Sequence, residues 1–456
     1  MLQVDSRKVK EGDTFLALRS VELDGHDFIN DAISRGATEI ICEEGNFDVK
    51  TQIVPNTREY LANYLKEENK EILSQIKIIG ITGTNGKTTT AYLLHKALNN
   101  LGIKSSYIGT IGFFIDEKKH SLNNTTPDLY ELYSLFKESY LNNVKIIVME
   151  VSSQGISYGR VNGIEFDIGI FTNLTQDHLD FHKTMKNYAL TKQQLFKNIK
   201  EYAIINSDDD YKKYFLLDQN KNITYGFNSA DYKIIDYEMN INNTYFEYKD
   251  IFNNKHIIKT KLIGKHNIYN LLTVIIVLKQ YGFKEQDIIK TISQLDSPIG
   301  RTNIINFNTN KIIIDYAHTP DAIEKIIKTF KEISHNKIIT VFGCTGDRDR
   351  KKRPIMLNIA VSLSEHVIIT SDDLHNESFD NIVNDMIKEN KCPNYEIIEN
   401  RIEAIEKGIA KLNNNDILLI LGKGHEEFMI INNKKIPIND KNIVETILKD
   451  KTIIYS

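Results

Sequence analysis

The amino-acid sequence predicts an α/β protein of three domains, and three observations support it. The chain has 456 residues, too many for one ordinary core at roughly one domain per 100–200 residues. Short, nearly continuous apolar runs alternate with helical stretches, as strands buried on both faces of a parallel sheet do. Texture changes and turn clusters divide the series near residues 75 and 298.

Residues 1–75 alternate apolar runs with turn signals such as Glu11-Gly12-Asp13 and Asp24-Gly25, then end in a charged helical stretch over 59–74. This is the pattern of a small α/β domain. From Ile76 a short apolar strand leads through a glycine-containing turn into a helix whose apolar face includes Ala91, Leu94, Ala97, Leu98 and Leu101, with Gly102 as its stop. Further runs at 144–151, 166–171 and 203–205 predict a doubly wound central domain over 76–297. Within it, the Tyr-, Asn- and Lys-rich segment 221–262 alternates like antiparallel strands, and an apolar helix over 267–281 follows. Beyond Ser297-Pro298-Ile299-Gly300, strands at 311–315, 337–342, 366–370 and 416–421 alternate with helices. A Rossmann-like domain therefore spans 298–456.

Composition excludes several classes. Apolar residues at 41% and charged residues at 26% are ordinary for a globular protein and rule out disorder on a large scale. A formal charge of −4 leaves no excess of Lys and Arg to track a nucleic-acid backbone. Cys42, Cys344 and Cys392 are odd in number and far apart, which fits a reducing compartment and no metal site. The opening MLQVDSRKVKEGD lacks a signal peptide's apolar core, and no later run is long enough to span a bilayer. A cytoplasmic protein without membrane or nucleic-acid partners is expected.

The strongest local signal is Gly83-Thr84-Asn85-Gly86-Lys87-Thr88, followed by Thr89, between a buried strand and an amphipathic helix. There the glycines let backbone N–H groups approach phosphate oxygens, Lys87 supplies positive charge to the β and γ phosphates, and Thr88 offers a hydroxyl to Mg²⁺. The longer pattern G-x-x-x-x-G-K-[ST] is broken, because Ile81 stands where its first glycine belongs. Its place between strand and helix still predicts ATP binding.

Other strands end in polar residues. Met149-Glu150-Val151-Ser152-Ser153 and Thr172-Asn173-Leu174-Thr175-Gln176-Asp177-His178 make Glu150 and His178 candidates to face the nucleotide's metal. His178 with His182, at i and i+4, also fits a helix-face pair or a zinc motif, but lacks a third soft ligand. Asp315-Tyr316-Ala317-His318-Thr319-Pro320-Asp321 closes a strand and opens a helix, with Thr319 as N-cap and Pro320 at the first helical position. That role leaves Asp315 and His318 unexplained. Gly343-Cys344-Thr345-Gly346-Asp347-Arg348-Asp349 adds a basic cluster, Arg348 to Arg353, suited to an anion, and Gly422-Lys423-Gly424-His425-Glu426 repeats the strand-end arrangement.

In order and spacing, these segments resemble the Mur ligases of peptidoglycan synthesis, most closely the branch adding the third amino acid to UDP-N-acetylmuramoyl-L-alanyl-D-glutamate. The resemblance runs from Asp5-Ser6-Arg7 and Gly12-Asp13-Thr14-Phe15 through GTNGKTTT, MEVSS, TNLTQDHLDFH, DYAHTPD, GCTGDRD with KRP, and GKGHE. It implies a UDP-binding domain (1–75), a central ATPase (76–297) and an amino-acid-binding domain (298–456) in a monomer serving cell-wall synthesis, cell shape and division. It implies that Lys87 holds the phosphates and that Thr88, Glu150, His178 and Lys192, the last as a carbamate, surround Mg²⁺. Asn267, Arg301 and Asp315 would contact the nucleotide. Ser6 would meet the uridine end, and Thr125, Thr126, Ser152 and Arg160 the muramoyl-dipeptide. Arg348, Asp373, Asn376, Gly422 and Glu426 would receive the added amino acid. Apart from the resemblance, Lys192 reads as one exposed lysine among many.

One departure matters. Members that add meso-diaminopimelate carry Asp-Asn-Pro-Arg where this chain has Asp373-Leu374-His375-Asn376. Without that arginine the distal carboxylate loses a bidentate partner. Lysine, meso-lanthionine or a differently held diaminopimelate stay open, with weak use of meso-diaminopimelate relative to at least one alternative expected. The rival readings are a folylpolyglutamate synthetase, a D-alanyl-D-alanine-adding ligase, and a nucleotide-driven switch. The first is opposed by the Ser6 domain, the second by DYAHTPD with GDRD, and the third by the lack of a guanine-reading Asn-Lys-x-Asp.

Overall fold

The computed structural model describes residues 1–19, 23–116, 118–217, 221–334, 336–390 and 392–454, with side chains as far as 449. The chain forms two compact units. The first comprises Met1–Thr82, Ile103–Gly169 and Thr191–Tyr202, and the second Gly83–Gly102, Ile170–Leu190 and Ala203–Ser456.

In the first unit, strands Leu2–Gln3, Thr14–Leu16, Glu39–Cys42 and Lys50–Ile53 form a parallel sheet in chain order. Val9, Phe15, Ala17, Ile29, Ala32, Ala37, Ile40 and Cys42 fill its core. The charged stretch after it is two helices, Thr57–Glu68 and Lys70–Gln75, rather than the single helix the sequence predicts. Asn69 (φ −108°, ψ 15°) stands between them outside helical conformation, with its Nδ2 donating to the Leu65 carbonyl at 2.8 Å. Strands Lys77–Thr82, Ile146–Glu150 and Ser105–Gly109 lie side by side and parallel, with Gly112–Ile115 and Lys118–His120 antiparallel beyond them. The first three are buried along almost their whole length.

In the second unit, segment 221–262 departs from the expected antiparallel pattern. Strand Asn222–Gly226 pairs parallel with residues 203–206 and with Tyr232–Met239. Only Tyr232–Met239, Thr244–Lys249 and Lys255–Thr260 alternate direction. The short sequence between 226 and 232 carries the chain across without a hairpin, which periodicity in the strands themselves does not encode. Helix Lys265–Gln280 follows, buried on nearly every side.

The second large sheet of this unit has the order Asn303–Phe307, Asn310–Asp315, Ile417–Leu421, Ile338–Phe342, His366–Ile369, Tyr395–Ile397, all parallel except the first. Alternate residues serve two cores. Ile313, Leu419 and Leu421 pack with helices Pro320–Ile333 and Lys352–Leu363, while Ile312, Ile314, Leu418 and Ile420 pack with Arg401–Ala410. Because Ile417–Leu421 inserts between its neighbours, the carboxyl ends at Asp315, Leu421 and Phe342 stand together, where open α/β sheets bind ligands.

One buried ion pair locks this sheet. Arg401 donates from Nε and Nη2 to Asp440 at 2.8 and 2.7 Å, and its remaining donors reach the Ser371 and Leu421 carbonyls, with both side chains fully buried. Arg401→Met is expected to cost about 3–5 kcal/mol, because it strands a buried carboxylate. Urea denaturation followed by circular dichroism measures it, since the chain has no Trp; an unchanged midpoint would refute the role.

Candidate active site

The phosphate loop belongs to the second unit, and residues beyond strand Ile168–Phe171 hold it. Thr84 N donates to the Asn173 carbonyl at 2.8 Å, Asn85 N to Asn173 Oδ1 at 3.0 Å, and Thr172 Oγ1 to the Asn85 carbonyl at 2.7 Å. Gly83 (φ +149°) and Gly86 (φ +88°) are required here. A Cβ on Gly83 would lie 1.9 Å from Thr172 Oγ1, and one on Gly86 2.7 Å from Asn270 Oδ1. Helix Lys87–Asn100 begins at once, presenting its N-terminal amides toward the loop. Lys87 Nζ folds back to the Gly83 and Thr84 carbonyls at 2.9 and 2.8 Å. Thr88 and Thr89 are buried. Thr90 Oγ1 meets Asn270 Oδ1 at 3.1 Å, Asn270 donates to Asn267 Oδ1 at 3.1 Å, and Asn267 anchors to the Ile263 carbonyl at 2.8 Å.

The strand ends of the second large sheet meet the same loop. Arg301 Nη2 donates to Thr88 Oγ1 at 3.3 Å, its Cζ stands 4.5 Å from the Tyr316 ring centroid, and its buried Nε has no hydrogen-bond partner among the described residues. Asn85 Nδ2 donates to Asp321 at 2.8 Å. Asp315 accepts from Thr302 N at 2.7 Å and Ala317 N at 2.8 Å, and burial pushes its carboxyl up. Thr319 caps its helix with Pro320 first, as the sequence predicts. His318 Nδ1 donates to the Tyr316 carbonyl at 2.8 Å, and burial, then Lys352, drives its pKa down to about 4, keeping the ring neutral. Asp177, beside His178, lies 3.6 Å from Lys352. Burial opposes its ionisation, but His178 and Lys352 hold it well below the usual carboxylate range.

The basic cluster 348–353 resolves into different tasks. Arg353 is buried and clamped to Glu377 and Asp385, and Arg350 joins the same pair, so both brace the fold rather than await an anion. Arg348 is exposed. Asp373 accepts from Lys423 Nζ and Ile430 N, both at 2.8 Å. Gly422 (φ +109°) brings the chain to Asp372, and Lys423 also pairs with Glu426. Burial raises Glu426 to about 6, against Lys423 and with Asp372 and Asp373. Asn376 is exposed and bonded to Asp347 and Asn433, at 3.1 and 3.2 Å.

The first unit holds the other expected residues. Glu150, fully buried, ends its strand with Oε1 accepting from Tyr107 OH at 2.5 Å and Thr110 N at 2.9 Å, and Oε2 from Thr110 Oγ1 at 3.2 Å. A fixed, buried carboxylate is the kind of hard-oxygen donor that Mg²⁺ takes. Thr125 Oγ1 meets Thr110 Oγ1 at 3.0 Å. Thr126 Oγ1 bonds the Glu150 carbonyl at 3.0 Å and Ser152 Oγ at 3.1 Å, while Arg160 Nη1 donates to the Thr126 carbonyl at 3.2 Å. Lys192 corrects the sequence reading. It is 1% exposed, with Nζ 3.4 Å from Thr82 Oγ1, and that hydroxyl bonds the Val151 carbonyl at 2.8 Å. Ser6 is buried and bonds Asp31.

The structure thus assembles Thr88 with Arg301 and Asn267 with the loop in one unit, and Glu150 with Thr125, Thr126, Ser152 and Arg160 in the other. Sequence reasoning missed Asn270 and Asp321 as partners of the loop. Asn270 sits three residues after Asn267, one helical turn on, a spacing that was available as a signal. His182 stacks on Tyr188, and no group of three metal-binding side chains occurs among the described residues.

Residues 1–85 match the Mur ligase family catalytic domain, 81–278 the Mur ligase middle domain, and 300–424 the Mur ligase glutamate ligase domain. The chain belongs to the Mur ligase family. It is an ATP-dependent ligase that forms a peptide bond, with the three-domain α/β architecture of that family. A relative from Clostridium botulinum, "UDP-N-acetylmuramoyl-L-alanyl-D-glutamate--2,6-diaminopimelate ligase", is 40% identical over 98% of this chain and 95% of its own length. A Clostridium acetobutylicum relative, the corresponding ligase 1, is 39% identical over 98% and 94%. A solved structure of a ligase of that description aligns with a TM-score of 0.71 at 30% identity, covering 99% of this chain and 95% of that one. Among the described residues of this Mur ligase no helix is long and apolar enough to cross a membrane.

Proposed function

We propose that this chain joins a diamino acid to the γ-carboxylate of D-glutamate in UDP-N-acetylmuramoyl-L-alanyl-D-glutamate, as a cytoplasmic monomer supplying the bacterial cell wall. The observation that carries this reading is the glycine loop around Lys87, held by Thr172 and Asn173 and backed by Arg301. In the proposed reaction Lys87 and the loop amides grip the terminal phosphates of ATP. The glutamyl γ-carboxylate attacks the γ-phosphorus, the bond to ADP breaks, and an acyl phosphate forms. The amine of the diamino acid then attacks the acyl carbon, and phosphate leaves with the amide in place. Thr88, Glu150, His178 and a carbamylated Lys192 would hold Mg²⁺, which would supply charge neutralisation on the transferring group. Asn267, Arg301 and Asp315 hold the nucleotide, Ser6 the uridine end, and Thr125, Thr126, Ser152 and Arg160 the dipeptide. Phosphate release from ATP tests the reading: it should require the nucleotide-dipeptide and a diamino acid together. Release indifferent to either would overturn it.

Two outcomes bear on the amino-acid end, where Arg348, Asp373, Asn376, Gly422 and Glu426 are assigned. Glu426 takes the substrate ammonium only as a carboxylate. With its pKa at about 6, kcat/KM for the amino acid should rise about tenfold per pH unit below that value and level off above it. Glu426→Gln should abolish that inflection, and a profile unchanged in the variant would remove Glu426 from the site. Second, Asn376 offers no cation to a distal carboxylate. Across a panel of lysine, meso-lanthionine and meso-diaminopimelate, the last should be used more weakly than at least one other. Asn376→Arg should raise its kcat/KM relative to lysine by about 10- to 100-fold, the worth of a charge-assisted hydrogen bond. Exclusive use of meso-diaminopimelate by the unaltered enzyme would show this wrong.

A further inference from the structure

In the segment Gly422-Lys423-Gly424-His425-Glu426, which follows strand Ile417–Leu421, Gly422 and Glu426 are assigned to the added amino acid and Lys423 between them is not. A lysine between two glycines at a strand end is an arrangement able to take an anion. The structure gives Lys423 another occupation. It is 1% exposed, and its Nζ ion-pairs with Glu426 Oε2, with Asp373 Oδ1 at 2.8 Å and with Asp372 Oδ1 at 3.9 Å. Gly422 permits this approach, because a Cβ there would lie 2.6 Å from Asp372 Oδ2. Burial works against the charge of Lys423, but Asp372, Glu426 and Asp373 outweigh it and raise its pKa. An ammonium answered by three carboxylates does not wait for an anion; it holds the carboxylates in place.

Which oxygens it holds decides what is left for a ligand. Asp373 Oδ1 also accepts from Ile430 N at 2.8 Å, while Oδ2 has no hydrogen-bond partner among the described residues. Glu426 Oε1 accepts from Tyr316 OH at 3.3 Å and keeps a second lone pair. One ammonium thus fixes one oxygen of each side chain and leaves the other to a donor. Resting on the function proposed above, we infer that Lys423 is a positioning residue that sets the spacing of Asp373 and Glu426, so that both carboxylates meet the incoming amino acid from fixed places. It acts through them and touches no reacting atom.

Steady-state kinetics of Lys423→Met, Lys423→Arg and the double variant Lys423→Met with Glu426→Gln test this, using the diamino acid that the unaltered enzyme uses best. Lys423→Met should raise KM for the amino acid by about 10- to 100-fold while kcat falls less than about threefold, because binding and not phosphoryl transfer is disturbed. KM for ATP should not move. The groups that face Glu426 are Lys423, Asp372, Asp373, Tyr316, and Arg401, which is itself paired with Asp440. Burial raises the Glu426 carboxyl and Lys423 draws it down, so Lys423→Met should move the inflection of kcat/KM from about 6 to higher pH. Lys423→Arg keeps the charge and alters the spacing, so KM should rise with the inflection unmoved. The double variant should raise KM by less than the product of the two single effects, as residues acting through one contact require. Equal rises in KM for ATP and the amino acid, multiplicative effects, an unmoved inflection in Lys423→Met, or loss of the folded state by circular dichroism in both single variants would assign Lys423 to the core and overturn the inference. Should the unaltered enzyme fail to couple phosphate release to a diamino acid, the proposed function falls and takes this role with it. Should it succeed while any of those outcomes occurs, only the role of Lys423 falls.

Discussion

Lys87→Met is expected to lower kcat by about 10³-fold while the protein stays folded, a magnitude in line with the loss of one preorganised charge at a developing phosphoryl transition state. Lys87 opens helix Lys87–Asn100, and Met has a similar helix preference, so the helix should persist. What is lost locally is a pair of hydrogen bonds to the Gly83 and Thr84 carbonyls. In the proposed reaction Lys87 exchanges those carbonyls for phosphate oxygens, which Met cannot do. Circular dichroism should therefore change little while ATP-dependent phosphate release collapses. A variant that keeps more than about a tenth of kcat would show that the loop does not act on the phosphate that transfers.

Lys192→Ala is expected to depress turnover by about 10²- to 10³-fold, with partial recovery when formate or acetate is added. An ammonium next to Mg²⁺ would repel it, whereas carbon dioxide adds to an amine to give a carbamate, an anion. Alanine leaves room for a small carboxylate to stand in for that anion. The structure gives the position a feature the sequence lacks: the side chain is 1% exposed and reaches Thr82, whose hydroxyl bonds the residue after Glu150. A long cation is seldom buried without a task. Activity restored by acetate but not by methylammonium would bear out the anionic role; an unimpaired variant would remove Lys192 from the site.

Much of this was legible in the sequence because the signals are local. A buried parallel strand is an apolar run, a phosphate loop is glycines before a helix, and Thr319-Pro320 announces a capped helix; each needs only neighbouring residues. The antiparallel reading of 221–262 holds for the three strands from Tyr232 to Thr260 and fails only at Asn222–Gly226, because pairing direction depends on how the chain returns, and the single helix at 59–74 is interrupted at Asn69.

The sequence by itself determined the α/β class, the glycine loop, and the identity of the groups able to do chemistry, since backbone freedom and side-chain charge belong to each residue. Only the tertiary structure decided which charges are answered. Arg353 is consumed by Glu377 and Asp385, Arg350 by the same carboxylates, and Asn270 is drawn to the loop by Thr90, whereas Arg58 is held by the Arg19 and Tyr158 carbonyls. The reason is physical: the cost of a charge depends on its burial and on partners tens or hundreds of residues away, and folding alone brings those together.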